Sequence, residues 1–167
     1  MFWIIVLSIF ILCSERANVA EARRHEPVYW NTSNTAFQEN MTMEVNIKDS
    51  LDVICPRSDN VTENLYLKIY LVKAKSYLEC NAFEGKRLIT CNVPTRCKEF
   101  TFYFGEISAS PWGLEFAAGK SYYIISTSNG TRSGISSLHG GMCSSHNMKM
   151  KIKVWKNLKR NNRKRFF

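Results

Sequence analysis

The chain has 167 residues, which suits one domain with short appendages, and its 45% hydrophobic content is enough for a real core. The formal net charge of +9 is not spread over that domain: nine Lys or Arg and no acid lie in residues 149–167, so residues 1–148 hold 14 basic and 14 acidic side chains. A neutral domain with one basic end excludes nucleic-acid binding by the domain itself.

Residues 1–13 read M-F-W-I-I-V-L-S-I-F-I-L-C. This apolar run falls short of the ~20 residues that span a bilayer and fits the core of a secretory signal. The small-residue pattern Ala20-Glu21-Ala22 predicts cleavage before Arg23, giving a signal over 1–22, a domain over 23–155 and a basic, disordered tail over 156–167. A buried N-terminal helix is the alternative.

Period-two alternation dominates the rest. Met43, Val45 and Ile47 alternate with Thr42, Glu44 and Asn46. Residues 65–72 form a denser apolar run suited to a central strand. Residues 75–80 and 88–91 are predicted as short strands separated by Gly85. The run 100–104 crowds Phe100, Phe102, Tyr103 and Phe104 into a strand that Gly105 breaks. Residues 121–127, S-Y-Y-I-I-S-T, are rich in β formers. Residues 128–142 are Gly- and Ser-rich and predict a mobile loop. Met148, Met150, Ile152 and Val154 face one way and Lys149, Lys151 and Lys153 the other, the pattern of a half-buried antiparallel strand with a solvated basic face. Seven or eight short strands point to an all-β sandwich or barrel. A short helix fits near 62–64 or within 132–142.

Between the strands at 100–104 and 121–127 lies a loop with unusual chemistry. It carries Ile107, Trp112 and Leu114, apolar side chains that a loop exposes unless something covers them. Burying a large aromatic in a partner's pocket would recover roughly 2–3 kcal/mol. Pro111 restricts the loop and Gly113 permits a sharp turn beside the indole. The competing reading folds Trp112 back onto its own domain.

Other residues speak to compartment and chemistry. Asn31, Asn40, Asn60 and Asn129 each head an N-x-Ser/Thr acceptor for N-glycosylation. With the signal-like start, they predict an exported glycoprotein. The mature cysteines are Cys55, Cys80, Cys91, Cys97 and Cys143, an odd number that leaves one thiol over and allows two bridges to be chosen in fifteen ways. Cys143, His146 and Met148 look like half of a blue-copper site, although no His lies between His25 and His139 to complete it. No nucleophile elbow, H-E-x-x-H or phosphate-cradling Gly loop occurs, so the sequence reads as non-enzymatic.

Several motifs, in order, resemble those of the ephrins, the extracellular ligands of Eph receptor tyrosine kinases. Tyr29-Trp30-Asn31-Thr32-Ser33-Asn34 is similar to the family's Y-W-N-S-S-N, Leu51-Asp52-Val53-Ile54-Cys55-Pro56 to its L-D-I-x-C-P and Cys91-Asn92-Val93-Pro94 to its C-N-x-P. Gly113-Leu114-Glu115-Phe116 followed by Gly119-Lys120-Ser121-Tyr122-Tyr123-Ile124-Ile125-Ser126 resembles G-L-E-F…G-K-x-Y-Y-I-x-S. Gly140-Gly141-Met142-Cys143, leading into Met148-Lys149, is most similar to B-class ephrins.

The resemblance implies a Greek-key β-barrel or sandwich, cupredoxin-like and without metal or other cofactor. It implies bridges Cys55–Cys91 and Cys80–Cys143, with Cys97 as the departure. It also places 104–116 on the long loop that ephrins insert into a receptor channel. Against the family's F-S-P-N-L-W-G-L-E-F, Ile107 stands for the Phe, Ala109 for the Pro and Pro111 for the Leu, and Trp112 keeps the Trp. The receptor-binding residues it implies are Ile107, Pro111, Trp112, Gly113, Leu114 and Glu115, with an Eph ectodomain as partner. The basic tail is opposite in character to a lipid-anchor signal, and no apolar span of ~20 residues is present, which predicts a secreted form or an incomplete gene product. Two other readings are a copper electron-transfer protein of the same barrel type and a glycan-binding module, whose tail would attract sulfated glycans or an anionic membrane surface.

Overall fold

The computed structural model describes residues 22–57, 66–111 and 113–156. The expected signal core, the acceptor Asn60, the helix near 62–64, Trp112 and nearly all of the basic tail lie outside the described residues.

Two β-sheets pack face to face. The smaller holds β1 (Val28–Tyr29), β3 (Ser50–Ile54) and β6 (Glu99–Tyr103) in the order β1-β3-β6, with β1 parallel and β6 antiparallel to β3. The larger holds β2 (Thr42–Asn46), β4 (Leu67–Val72), β5 (Lys86–Cys91), β7 (Ser121–Ile125) and β8 (Lys149–Trp155) in the order β2-β8-β7-β4-β5. A 3₁₀ turn at Thr35–Phe37 and two short helices, α1 (Ala74–Leu78) and α2 (Gly141–Ser145), complete the regular structure among the described residues.

The alternating residues read from the sequence are the ones that fill the space between the sheets. Val45, Leu67, Ile69, Ile124, Met150, Ile152 and Val154 meet Val28, Leu51, Val53 and Phe102 in one buried cluster. On β8 the apolar set is fully buried while Lys149, Lys151 and Lys153 stay partly exposed, as period two requires. Its pairing is mixed, however: β8 runs antiparallel to β7 but parallel to β2. Alternation reports which face is buried and carries no sign of the neighbour's direction.

Two expectations are corrected. Residues 75–80 do not form a strand; 74–78 is helical, with the Tyr77 N–H donating to the Lys73 carbonyl at 3.0 Å. This segment connects the antiparallel neighbours β4 and β5, and its helix lays Tyr77 on the outer face of the sheet, 5.1 Å from the Tyr123 ring. There a second, smaller cluster forms from Tyr70, Ala82, Ile125, Cys80 and Cys143. Nor is the stretch 128–142 loose. The Ser128 hydroxyl accepts from the Lys68 N–H at 2.9 Å and donates to the Ile135 carbonyl at 2.7 Å, and the Ala82 N–H donates to the Leu138 carbonyl at 2.8 Å. Gly141, at φ 52°, sits so close to the Thr127 carbonyl that a Cβ there would lie 2.0 Å from its oxygen.

Disulfides join Cys55 to Cys91 and Cys80 to Cys143, and Cys97 is a free, exposed thiol. The first bridge ties the end of the small sheet to the end of β5. The second ties Cys80, two residues past the end of α1, to Cys143 in α2. With Cys143 bonded to Cys80, it is no thiolate ligand. His146 is exposed and bonded to the Ser145 hydroxyl, and Met148 is buried in the core. The copper reading therefore falls.

Candidate functional site

The loop between β6 and β7 is anchored at its base by aromatic packing. Phe104 and Phe116, its two ends, are buried with ring centroids 4.9 Å apart, and each also packs against Phe102. Phe116 further meets Tyr122 edge-on at 4.7 Å. Edge-to-face rings at these separations contribute beyond their buried area. Hydrogen bonds close the same base: the Phe116 N–H donates to the Gly105 carbonyl at 2.9 Å, and the Tyr122 hydroxyl accepts from the Ala117 N–H at 2.8 Å. Beneath it, the β2–β3 turn clasps Phe104, with Lys48 N–H donating to the Phe104 carbonyl at 2.9 Å and Phe104 N–H to the Asp49 carbonyl at 3.0 Å.

Above this base the loop is braced internally. The Gly113 N–H donates to the Ser110 carbonyl at 2.9 Å, and Pro111 lies in a turn. Lys86, on β5, donates from Nζ to the Gly113 carbonyl at 3.2 Å. Gly113 is required by close approach: a Cβ there would lie 1.7 Å from Ser108 Oγ and 2.6 Å from Ser108 Cβ. Gly105 is crowded in the same way, with the Tyr103 ring 2.9 Å from the position of a Cβ.

The six residues singled out from the sequence separate into distinct settings. Ile107 projects into solvent, 83% exposed, and Pro111 is exposed beside it in the loop. Trp112 is outside the described residues. Gly113 is half-buried against Ser108. Leu114 is also half-buried and packs against the domain's own core, so it supports the loop rather than standing free. Glu115 is exposed, and its Oε1 accepts from the Ser108 N–H at 3.4 Å, a long, weak tie across the loop.

Sequence reasoning missed the residues that face this loop from the sheets. A groove of about 630 Å³ runs between the loop and strands β5 and β6, lined among others by Leu88, Phe100, Tyr103, Ile107 and Leu114, with Lys86 and Arg87. Tyr103, 59% exposed, presents its ring on the outer side of β6. Alternation in F-T-F-Y is the signal that could have placed Tyr103 on the outer face. Nothing local marked Lys86 and Leu88, which reach the loop only because β5 lies at that sheet's edge.

The glycosylation acceptors within the described residues differ in setting. Asn40 and Asn129 are exposed and Asn31 is half-buried. Asn129 Oδ1 accepts from both the N–H and the hydroxyl of Thr131, at 3.0 and 2.8 Å. On the opposite side of the large sheet, the Lys149 and Lys151 ammonium groups lie over the Tyr77 and Tyr123 rings at 5.1 and 5.7 Å, and Lys153 pairs with Glu44 at 3.3 Å. No helix among the described residues is long and apolar enough to cross a membrane.

Comparison with known proteins bears on the family and the fold. The sequence profile of the family Ephrin matches residues 21–154. Ephrin-B2a of Danio rerio is 37% identical over 147 residues, covering 85% of this chain and 44% of the relative. Ephrin-B1 of Homo sapiens is 36% identical over 155 residues, covering 91% of this chain and 44% of the relative. The chain thus spans less than half the length of these curated relatives. Among solved structures, a chain in the crystal structure of the human ephrin A2–ephrin A1 complex superposes with a TM-score of 0.63 at 27% identity, over 80% of this chain and 99% of that one.

Proposed function

Because the chain belongs to the ephrin family, we propose that it acts outside the cell as a ligand of Eph receptor tyrosine kinases, binding through the β6–β7 loop rather than catalysing a reaction. The supporting observation is a contrast within that loop. Its two ends are buried and hydrogen-bonded, yet Ile107 between them is 83% exposed. A rigidly based loop with an apolar tip loses little ordering entropy on docking, so more of the burial free energy appears as affinity.

In this reading Ile107, Pro111 and Trp112 enter an apolar receptor channel. Leu114 and Gly113 hold the loop's shape from beneath. Glu115 steadies Ser108, and its remaining carboxylate capacity faces solvent where a receptor cation would meet it at the rim. Tyr103 and the groove beside Ile107 extend the contact surface along β6. Asn31, Asn40, Asn60 and Asn129 are the proposed glycosylation positions.

The direct test is binding of the purified chain to Eph ectodomains of the same organism, measured by surface plasmon resonance. Saturable binding that Ile107→Asp abolishes, without change in thermal unfolding, is the expected result. Failure to bind any ectodomain, with the protein shown folded and its disulfides intact, would overturn the reading.

A further inference from the structure

We infer that processing before Arg23 creates an α-ammonium group that seats on the buried carboxylate of Asp49, making the new N-terminus a built part of the fold. The site is visible in the geometry of residues 22–25. Ala22 is exposed. One residue on, the Arg23 backbone N lies 2.9 Å from Asp49 Oδ1, and Asp49 is only 2% exposed.

The chain is held in register at this point from both sides. Ser50 N–H donates to the Arg23 carbonyl and His25 N–H donates to the Ser50 carbonyl, each at 2.8 Å, so residues 23–25 run parallel to the start of β3. Asp49 meanwhile gathers donors. Its Oδ2 accepts from Asn46 N–H at 2.9 Å and faces His25 Nε2 at 2.9 Å. A peptide nitrogen at Arg23 offers this carboxylate one N–H. A free ammonium at the same atom offers three N–H groups and a full positive charge, and charge-assisted bonds of this kind are roughly twice as strong as neutral ones.

The small residues Ala20 and Ala22 stand at the two positions that leader cleavage reads, with the cut falling at the nitrogen that faces Asp49. Nothing in a cleavage motif requires a buried carboxylate next to the cut, and nothing in a β-turn requires its aspartate to reach the chain's start. Their coincidence is the observation that carries the inference. Of the charged side chains here, His25 faces the carboxylate directly, Arg23 is the residue that carries the nitrogen, Lys48 adjoins Asp49 in sequence, and on the neighbouring residues Arg24 pairs with Asp52, with Glu99 nearby.

The experiment has two parts and does not use receptor binding, so its failure leaves the ligand reading untouched. First, the full chain is secreted from eukaryotic cells and its N-terminus determined by sequencing and by intact mass after deglycosylation; a start at Arg23 is expected. Second, thermal unfolding is compared for chains that begin at Arg23 or retain Ala22, each with Asp49 or with Asp49→Asn. The Arg23 start should melt several degrees higher than the chain retaining Ala22, and that advantage should vanish in the Asp49→Asn pair. An ammonium beside a carboxylate titrates above the usual α-amino value of about 7.7–8.0, so the advantage should be complete below that pH for as long as Asp49 stays ionised, and disappear as pH rises through the raised value. Should Asp49→Asn not fold, the two chains with Asp49 intact decide the matter alone. A secreted N-terminus elsewhere, or equal melting of the two starts, overturns the inference.

Discussion

Phe104 and Phe116 meet edge to face with their ring centroids 4.9 Å apart, and the loop proposed to carry recognition is strung between them. The pair lies in the same buried cluster as the sandwich core, so the loop's ends move only if the core moves. Ile107, between them, is exposed and stands outside that cluster. Stability and recognition are therefore separable by mutation.

Truncations at the tip should cost affinity and leave the fold alone. Trp112→Ala is expected to weaken binding to an Eph ectodomain by about 2 kcal/mol or more, the size of a hot-spot truncation. Ile107→Ala should weaken it in the same direction, with unfolding stability within about 0.5 kcal/mol of the parent. Phe104→Ala should instead destabilise the domain by about 3–5 kcal/mol, as large-to-small core changes do. Denaturant unfolding and surface plasmon resonance on the same preparations separate the two classes. If Trp112→Ala unfolds the domain, the indole belongs to the core and not to a partner.

Gly113→Ala should reduce affinity through shape alone. Its Cβ would collide with Ser108, whose Cβ stands 2.6 Å away, so Gly113 and the turn at Pro111 must shift. Removing the obstacle with Ser108→Gly in the same chain should restore part of the lost binding. A Gly113→Ala protein that binds like the parent would show that the turn's geometry is not read by the receptor.

The disulfide pattern makes a chemical prediction. Non-reducing peptide mapping should find Cys55 joined to Cys91 and Cys80 to Cys143, and Cys97 should be alkylated in the folded protein because it is exposed. Replacing either pair should cost about 2–5 kcal/mol, since these links close long loops of the unfolded chain. A major Cys97–Cys143 peptide would contradict this pairing.

Acid should loosen the N-terminal segment first. At Asp52 the Thr101 hydroxyl bond at 2.7 Å, helped by Arg24, lowers the carboxyl's pKa despite burial. At Asp49 burial raises it, but the donors Asn46, His25 and Arg23 together outweigh that, and the net shift is also downward. Both groups thus add stability that is present above the ordinary aspartate value of about 3.9 and is lost as pH falls through their lower folded values. Hydrogen exchange at residues 23–25 and along β3 should accelerate over that range before it does on β7 and β8. Uniform acceleration in both sheets would sink this assignment.

What the sequence by itself determined was local and periodic. Alternation on residues 148–154 named the buried and solvated faces of β8, and the clustered aromatics at 100–104 named β6, because a strand's two faces are written directly in its residue order. The ordered motifs at Tyr29-Trp30-Asn31, Cys91-Asn92-Val93-Pro94 and Gly113-Leu114-Glu115-Phe116 named the family. Only the tertiary structure decided what depends on residues far apart in the chain. Left to themselves, the five mature cysteines allowed fifteen choices of bridges; the family resemblance implied Cys55–Cys91 and Cys80–Cys143, and folding brings those pairs together and leaves Cys97 outside. The segment read as a strand over 75–80 instead carries the helix 74–78, and β5, not this segment, pairs with β4. Leu114 turned inward because the core beneath it was open to an apolar side chain, a fact no loop sequence contains. Asp49 shows the limit most plainly: a single aspartate in a turn has no periodicity or motif to mark it, and its partners Arg23 and His25 reach it only when the N-terminal segment lies along β3. Hydrogen bonds between distant residues depend on where the backbone travels, and that path is set by the burial of both sheets together.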